Sequence, residues 1–350
     1  MANILYGING EGSGHWSRSK EVIDHLKGAG HNVYIVTSGR ATQNLSKFYP
    51  TEEIYGFRFV YTNGKLNEFA SSIKNLGFVP KVLMSLKKII GLFKKLNIDL
   101  VITDFEPISC LAANIKRIPI ISIDNQHFAT NTKAFKPKDF LLEDFPKSII
   151  LMKAVIPGAK AYLTTSFFEA EPDSNKTVVV PPIVRKEFFD LKPSYGDYLI
   201  VYFVHSLGKI GEVLKSVNYK FIFYGAKEAG QDGNVTYKKF DQIEFLKDLA
   251  GAGGVLSTAG FSLISESLYL KKPILAWPTE RQYEQIFNAY HIERLGYGKS
   301  VKNLTKEKIE SFISSLDSYK QKLAPYPYKD NQKLFNTLDE LIQKLAPTSP

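Results

Sequence analysis

ILYGINGEGSGHWSRSKEVIDHL, from Ile4 to Leu26, joins three textures without a break. Asn3 to Ile8 reads as a buried strand. Gly10, Gly12, Ser13 and Gly14 then make a glycine loop that carries His15. A helical pattern follows from Arg18 to Gly28. A strand that passes through a tight turn into a helix is the repeating unit of a parallel α/β sheet. Residues at that turn stand at the carboxyl edge of the sheet, where ligands of such folds bind.

The alternation continues down the chain. Asn32 to Thr37 is strand-like, and so is the stretch around Phe57 to Tyr61. Pro80 to Leu96 is helical, with Val82, Leu83, Leu86, Ile89, Ile90, Phe93 and Leu96 on one face and Lys81, Lys87, Lys88, Lys94 and Lys95 on the other. Leu100 to Thr103 and Ile118 to Ile123 are strands. VVVPPIVRKEFFDLKPSYGDY, from Val178, holds three prolines and a glycine and reads as a domain end with a linker. Strands then resume at Tyr198 to Phe203, Lys220 to Tyr224, Gly254 to Ser257 and Pro273 to Trp277, with helices at Gly211 to Lys215 and Ser262 to Leu270. The expectation is two doubly wound domains facing across a cleft. Residues 1–190 form one and 191–328 the other, and a terminal helix within 329–350 (Asn331 to Leu345) returns to the first.

At 350 residues the chain is too long for one ordinary core. Hydrophobic residues are 44% and charged residues 23%, the balance of a globular protein. A single cysteine, Cys110, excludes an internal disulfide and fits a reducing compartment. No apolar run is long enough to span a bilayer and no leader is evident, so the expected compartment is the cytoplasm, including the inner membrane face. The net charge of +10 admits an anionic partner without choosing a nucleotide, a lipid surface or a nucleic acid. Basic residues are spread along the chain without a nucleic-acid motif.

The glycine loop can bring backbone amides close to an anion at a helix N-terminus. Its third glycine is displaced from the place a dinucleotide fingerprint gives it, and no acid closes the second strand, so NAD is disfavoured. His15 alone could be a backbone-bonded histidine. IDLVITDFEP, however, puts Asp104 at the same sheet edge, where a carboxylate beside one imidazole nitrogen leaves the other free to take a proton. SIDNQHF adds Asp124, Gln126 and His127 at that edge, so His127 is a competing base.

TAGFSLISESLYLKKPILAWPTERQYEQIFNA, from Thr258 to Ala289, supplies the second constellation. Gly260 permits a turn, and Phe261 and Ser262 open a helix suited to a diphosphate. Glu266 follows, placed to accept from two ribose hydroxyls. Glu284 and Gln285, in an expected loop after the PILAWP strand, suit sugar hydroxyls.

This segment resembles the nucleotide-sugar signature of GT-B glycosyltransferases, in the branch that includes the peptidoglycan N-acetylglucosaminyltransferase and the small-molecule UDP-glucosyltransferases (families 28 and 1). Gly260, Glu266, Trp277-Pro278, Glu284-Gln285 and Asn288 match it in order. EGSGH is similar to that family's first loop, and the resemblance makes His15 the base and Asp104 its partner. Many relatives carry a diphosphate-binding histidine where this chain has Thr258, which leaves phosphate contacts to Ser262, backbone amides and Ser206.

The resemblance implies an inverting transfer from a nucleotide sugar, expected to be a UDP-sugar, to an acceptor hydroxyl. The nucleotide sugar is a co-substrate and no other cofactor is expected. No D-x-D pair occurs, so metal independence is expected, with helix dipoles and amides stabilising the departing diphosphate. Loops at Tyr61 to Phe78 and Phe128 to Phe145 suit a lipid-linked or aromatic acceptor, and Lys81 to Lys95 either rest on anionic lipid or form a solvated face. A UDP-sugar-hydrolysing 2-epimerase of the same fold and a non-catalytic basic lipid- or nucleic-acid-binding module are the alternatives.

Overall fold

A computed structural model describes residues 1–12, 14–56, 61–62, 65–66, 79–134, 153–203, 210–226, 228–280 and 282–346. The chain forms two units. The first comprises Met1–Val60, Asn67–Ile183 and Asp330–Pro350; the second comprises Tyr61–Leu66 and Val184–Lys329. Among the described residues, no helix is long and apolar enough to cross a membrane.

The first unit is built on β1 (Asn3–Ile8), β2 (Asn32–Thr37) and β3 (Thr51–Glu53). A separate antiparallel pair, β4 (Tyr61–Thr62) and β5 (Lys65–Leu66), follows in the chain. The sheet continues with β6 (Leu100–Asp104), β7 (Ile120–Asp124), β8 (Ala161–Thr165) and β9 (Thr177–Val180). Its order is β3-β2-β1-β6-β7-β8-β9 and every pairing is parallel. The helices are α1 (Gly14–Gly28), α2 (Gly39–Leu45), α3 (Val79–Leu96), α4 (Pro107–Lys116) and the short α5 (Phe128–Asn131).

A parallel sheet is covered on both faces, so its strands are apolar throughout. Ile4, Tyr6 and Ile8 of β1 pack with Val22, Ile23 and Leu26 of α1. Leu5, on the other face, joins Val101 and Ile120 with Ile89 and Phe93 of α3 and Ile108 of α4. The lysines of α3 at 81, 87, 88, 94 and 95 are exposed, and Cys110 is buried in α4. The DFEP motif is in part a helix start. Phe105 takes a left-handed φ of 53°, the Glu106 side chain accepts from the backbone N–H of Ile108 (2.9 Å) and Ser109 (2.6 Å), and Pro107 takes the first helical position.

The terminal helix (Gln332–Leu345) belongs to this unit, with Leu334, Leu338 and Ile342 in the β1–α1 core. His25 of α1 stacks on Phe335 at 4.2 Å, and its Nε2 meets Asp339 at 2.9 Å.

The second unit holds β10 (Tyr198–Tyr202), α6 (Ile210–Lys215), β11 (Lys220–Tyr224), β12 (Gly230–Asp232) and β13 (Val235–Lys238). Next come α7 (Gln242–Gly251), β14 (Gly254–Ser257), α8 (Phe261–Tyr269), β15 (Ile274–Ala276) and α9 (Tyr283–Arg294). β16 (Gly298–Ser300), α10 (Lys306–Ser314) and α11 (Leu316–Leu323) complete it. The sheet order is β12-β13-β11-β10-β14-β15-β16, parallel apart from β12. The crossing between units lies at Ile183/Val184, earlier than the 190 expected, because Val184 and Phe188 are buried in the second core with Ile200 and Val255. The proline-rich stretch is therefore more than a linker: Thr177–Val180 is the last strand of the first sheet.

Each sheet reverses its winding once. In the first unit the reversal lies between β1 and β6; in the second it lies between β10 and β14. At a reversal the connections leave in opposite directions and open a crevice at the strands' carboxyl ends. His15 follows β1 and Asp104 ends β6, while Thr258 to Ser262 follow β14.

Leu338 is fully buried and Lys333, five residues earlier in the same helix, is exposed. Leu338→Ala should cost about 2–5 kcal/mol in urea unfolding, and Lys333→Ala within about 0.5 kcal/mol. Equal, small effects would show that the terminal helix adds nothing to the first core.

Candidate active site

The loop after β1 is shaped by its glycines. Gly12 has a φ of 76°, and a Cβ on Gly10 would lie 2.2 Å from Ser38 Oγ and 2.3 Å from the Ser38 carbonyl oxygen. The helix begins at Gly14, earlier than the pattern at Arg18 suggested, so His15 stands in its first turn rather than in the loop. Ser13 lies outside the described residues. His15, Arg18, Ser19 and Val22 share a face of α1, because residues three and four apart are neighbours on a helix.

That face meets Asp104. His15 Nδ1 is 2.8 Å from Asp104 Oδ1. Arg18 Nε donates to Oδ2 at 2.7 Å, Arg18 Nη2 donates to Oδ1, and Ser19 Oγ donates to Oδ2 at 3.0 Å. Arg18 Nη1 also donates to Asn125 Oδ1 at 2.7 Å, and its Nη2 is 2.9 Å from His15 Nδ1. One guanidinium thus fastens α1 to the ends of β6 and β7. Asp104 is fully buried. Burial alone would raise its pKa; the charges of Arg18 and His15 outweigh it and hold the carboxyl well below the usual carboxylate range. His15 keeps 14% of its side chain exposed, so the network reaches solvent through the imidazole.

His127 is in a different setting. Its Nδ1 is 2.7 Å from Asp124 Oδ2, its backbone N–H donates to Oδ1 at 2.9 Å, and Ser122 Oγ donates to Oδ2 at 2.5 Å. Burial would raise the Asp124 pKa, but the His127 charge and hydrogen bonds lower it on balance. The register pairs Thr103 with Ser122 and Asp124 with Thr164. Successive strand residues face opposite sides, so Asp104 and Asp124 point to opposite faces of the sheet. His127 is 1% exposed, between the rings of Phe105 (5.7 Å) and Tyr162 (4.8 Å), and among the described residues its Nε2 has no hydrogen-bond partner. The two histidines therefore pair with aspartates that point to opposite faces of the sheet.

Between β14 and α8 the left-handed residue is Ala259, with φ 63°; Gly260, at φ −65°, is the N-cap of α8. The turn expected at Gly260 is therefore made one residue earlier, and Asn288 Nδ2 braces it by donating to the Ala259 carbonyl at 3.1 Å. Thr258 and Ser262 are half-buried, Phe261 is buried, and Ser262 lies in the first turn of α8. The first amides of any helix lack intrahelical acceptors, which suits an anion here. Glu284 and Gln285 lie in the first turn of α9, not in a loop. Gln285 Oε1 accepts from the Thr279 backbone N–H at 2.9 Å and shapes the turn after β15. Glu266 is buried and paired with Arg185 through Nε–Oε1 at 2.6 Å. Ser206 lies outside the described residues.

Sequence reasoning missed Arg18 and Arg185. The first left a signal: two polar residues, Arg18 and Ser19, on the helix face that continues into Val22, Ile23 and Leu26. Glu171, in the acidic FEAEPD stretch, is paired with Lys133 at 2.5 Å, and both are exposed.

The family profile described as Glycosyl transferase family 1 matches residues 2–317. An uncharacterized glycosyltransferase of Methanosarcina acetivorans is 26% identical over 341 residues, covering 87% of each chain. Among solved structures, Phytolacca americana UGT2, complexed with UDP-2fluoro-glucose and pterostilbene, superposes with a TM-score of 0.70 at 13% identity, over 98% of this chain and 99% of that one. MurG of Acinetobacter baumannii gives 0.62 at 17% identity, over 97% and 99%. The fold is GT-B.

Arg18→Met would leave Asp104 buried without its cation, and breaking such a pair costs about 3–5 kcal/mol. The folded pKa of Asp104 lies below its unfolded value of ~3.9. Its stabilisation is therefore present above that value and lost as pH falls through the folded one. The variant should unfold at a higher pH than wild type in an acid titration followed by circular dichroism. Coincident titrations would contradict this.

Proposed function

Because the chain belongs to glycosyl transferase family 1, we propose that it is an inverting, metal-independent glycosyltransferase that moves a sugar from a UDP-sugar to an acceptor hydroxyl. The observation that carries this reading is the His15–Asp104 pair at 2.8 Å, at the winding reversal of the first sheet. In the base tautomer, His15 Nδ1–H donates to Asp104 and Nε2 carries the lone pair. Nε2 takes the acceptor's hydroxyl proton as the acceptor oxygen bonds to the anomeric carbon. The bond from that carbon to the diphosphate oxygen breaks, and its electron pair leaves with the diphosphate. One displacement inverts the configuration.

Asp104 is held as an anion by Arg18, so it faces the imidazolium that forms with a fixed charge. Donor binding is assigned to the second unit: the first turn of α8 with Ser262 for the diphosphate, and Glu266 for the ribose. The likeness to a fold whose Phytolacca representative was solved with UDP-2fluoro-glucose supports a UDP-linked donor. Helix-end amides at α8 suit a departing diphosphate without a metal.

Removing a general base typically costs ~10²–10⁴ in rate. His15→Ala should lose turnover by about that factor at saturating donor and still bind UDP, whereas His127→Ala should keep more activity. If His127→Ala is the crippled variant and His15→Ala is near normal, the base is His127.

Turnover should also survive EDTA. Full loss restored by manganese or magnesium would defeat metal independence.

A further inference from the structure

A buried carboxylate stays an anion at modest cost when a cation faces it. Glu266, in the second turn of α8, is buried, and its cation comes from 81 positions earlier in the chain. Arg185 is the second residue of the Val184–Lys329 segment of the second unit and precedes a 3₁₀ turn, Lys186–Phe188. Its Nε donates to Glu266 Oε1 at 2.6 Å, and its guanidinium carbon lies 5.1 Å from the centre of the buried Phe188 ring. The ring contact and the hydrogen bond together hold the guanidinium against the carboxylate. The charged neighbours of Glu266 are Arg185 and, from the 3₁₀ turn, Glu187. Burial pushes the Glu266 carboxyl up, Arg185 opposes it, and Glu187 adds to burial.

We propose that Arg185 is a positioning residue for the nucleotide donor, fixing and charge-balancing the Glu266 carboxylate so that it accepts hydrogen bonds from ribose hydroxyls. This rests on the donor reading of the second unit. An ionised carboxylate has about four acceptor sites, so one arginine hydrogen bond leaves capacity for two hydroxyls. A protonated carboxyl gives up part of that capacity and presents a donor to a donor. Arg185 acts on the nucleotide through Glu266, which a double-mutant cycle isolates.

The test is calorimetric titration of UDP into the full chain at pH 7.5 and pH 5.5. Arg185→Met should weaken UDP at least fivefold at pH 7.5 and further at pH 5.5, beyond the change in wild type. Arg185→Lys, which keeps the charge but not the planar fork, should fall between the two. In a Glu266→Ala background, Arg185→Met should cost nothing more. An equal loss with Glu266 present or absent would overturn the proposal, because Arg185 would then act by another route. Unchanged affinity in Arg185→Met, with Glu266→Ala weakened, would overturn it and leave the donor reading standing. Unchanged affinity in Glu266→Ala would overturn both. Should Arg185→Met fail to melt cooperatively, Arg185→Lys carries the test, and wild-type affinity at both pH values in that variant overturns the proposal.

Discussion

The buried pair between Arg18 and Asp104 is the constraint from which the candidate active site follows. Asp104 is fully buried at the end of β6, and an isolated carboxylate there would protonate rather than stay charged. Arg18 keeps it an anion, and the same guanidinium reaches Asn125 at the end of β7. α1 is thereby fastened over the winding reversal with its first turn, and His15, at the sheet edge. A buried ion pair is weak evidence for net stability. Here it sets geometry, and geometry is what a general base needs before its basicity matters.

The first sheet carries two His–Asp pairs, and their surroundings give them different prospects. The His15 imidazole is partly open to solvent, beside an aspartate whose charge is secured. The His127 imidazole is enclosed by Phe105 and Tyr162, on the opposite face, with Asp124 engaged by a backbone amide and Ser122. The strand pleat produces this separation. Asp104 and Asp124 end adjacent strands, but the register puts their side chains on opposite faces, so each carboxylate meets a different set of partners.

Much of this was legible in the sequence. Asn3–Ile8, Asn32–Thr37, Lys220–Tyr224 and Gly254–Ser257 were read at their observed bounds, because buried parallel strands are continuous apolar runs between turn signals. The glycine loop marked a carboxyl edge of the sheet, because it joins a strand directly to a helix. The short strands Thr51–Glu53, Gly230–Asp232, Val235–Lys238 and Gly298–Ser300 escaped, since three or four residues carry too little periodicity, and the five-residue Ala161–Thr165 escaped as well. Thr177–Val180 was obscured by the prolines that follow it. The left-handed turn at Ala259 carries no glycine and is braced by Asn288, a contact across 29 positions. The arginine partners of Asp104 and Glu266 are 86 and 81 positions away, and no local pattern pairs Arg18 or Arg185 with its carboxylate.

In the proposed reaction the first unit supplies the proton chemistry and the second holds the nucleotide, and His15 Nε2 takes the acceptor's proton. Chemical rescue measures this most directly: turnover of His15→Ala at saturating donor is followed as imidazole is added. The account predicts recovery that rises with the concentration of neutral imidazole, because a free base can fill the space left by the side chain. A variant that stays inactive at every imidazole concentration, while folded and still binding UDP, would contradict it.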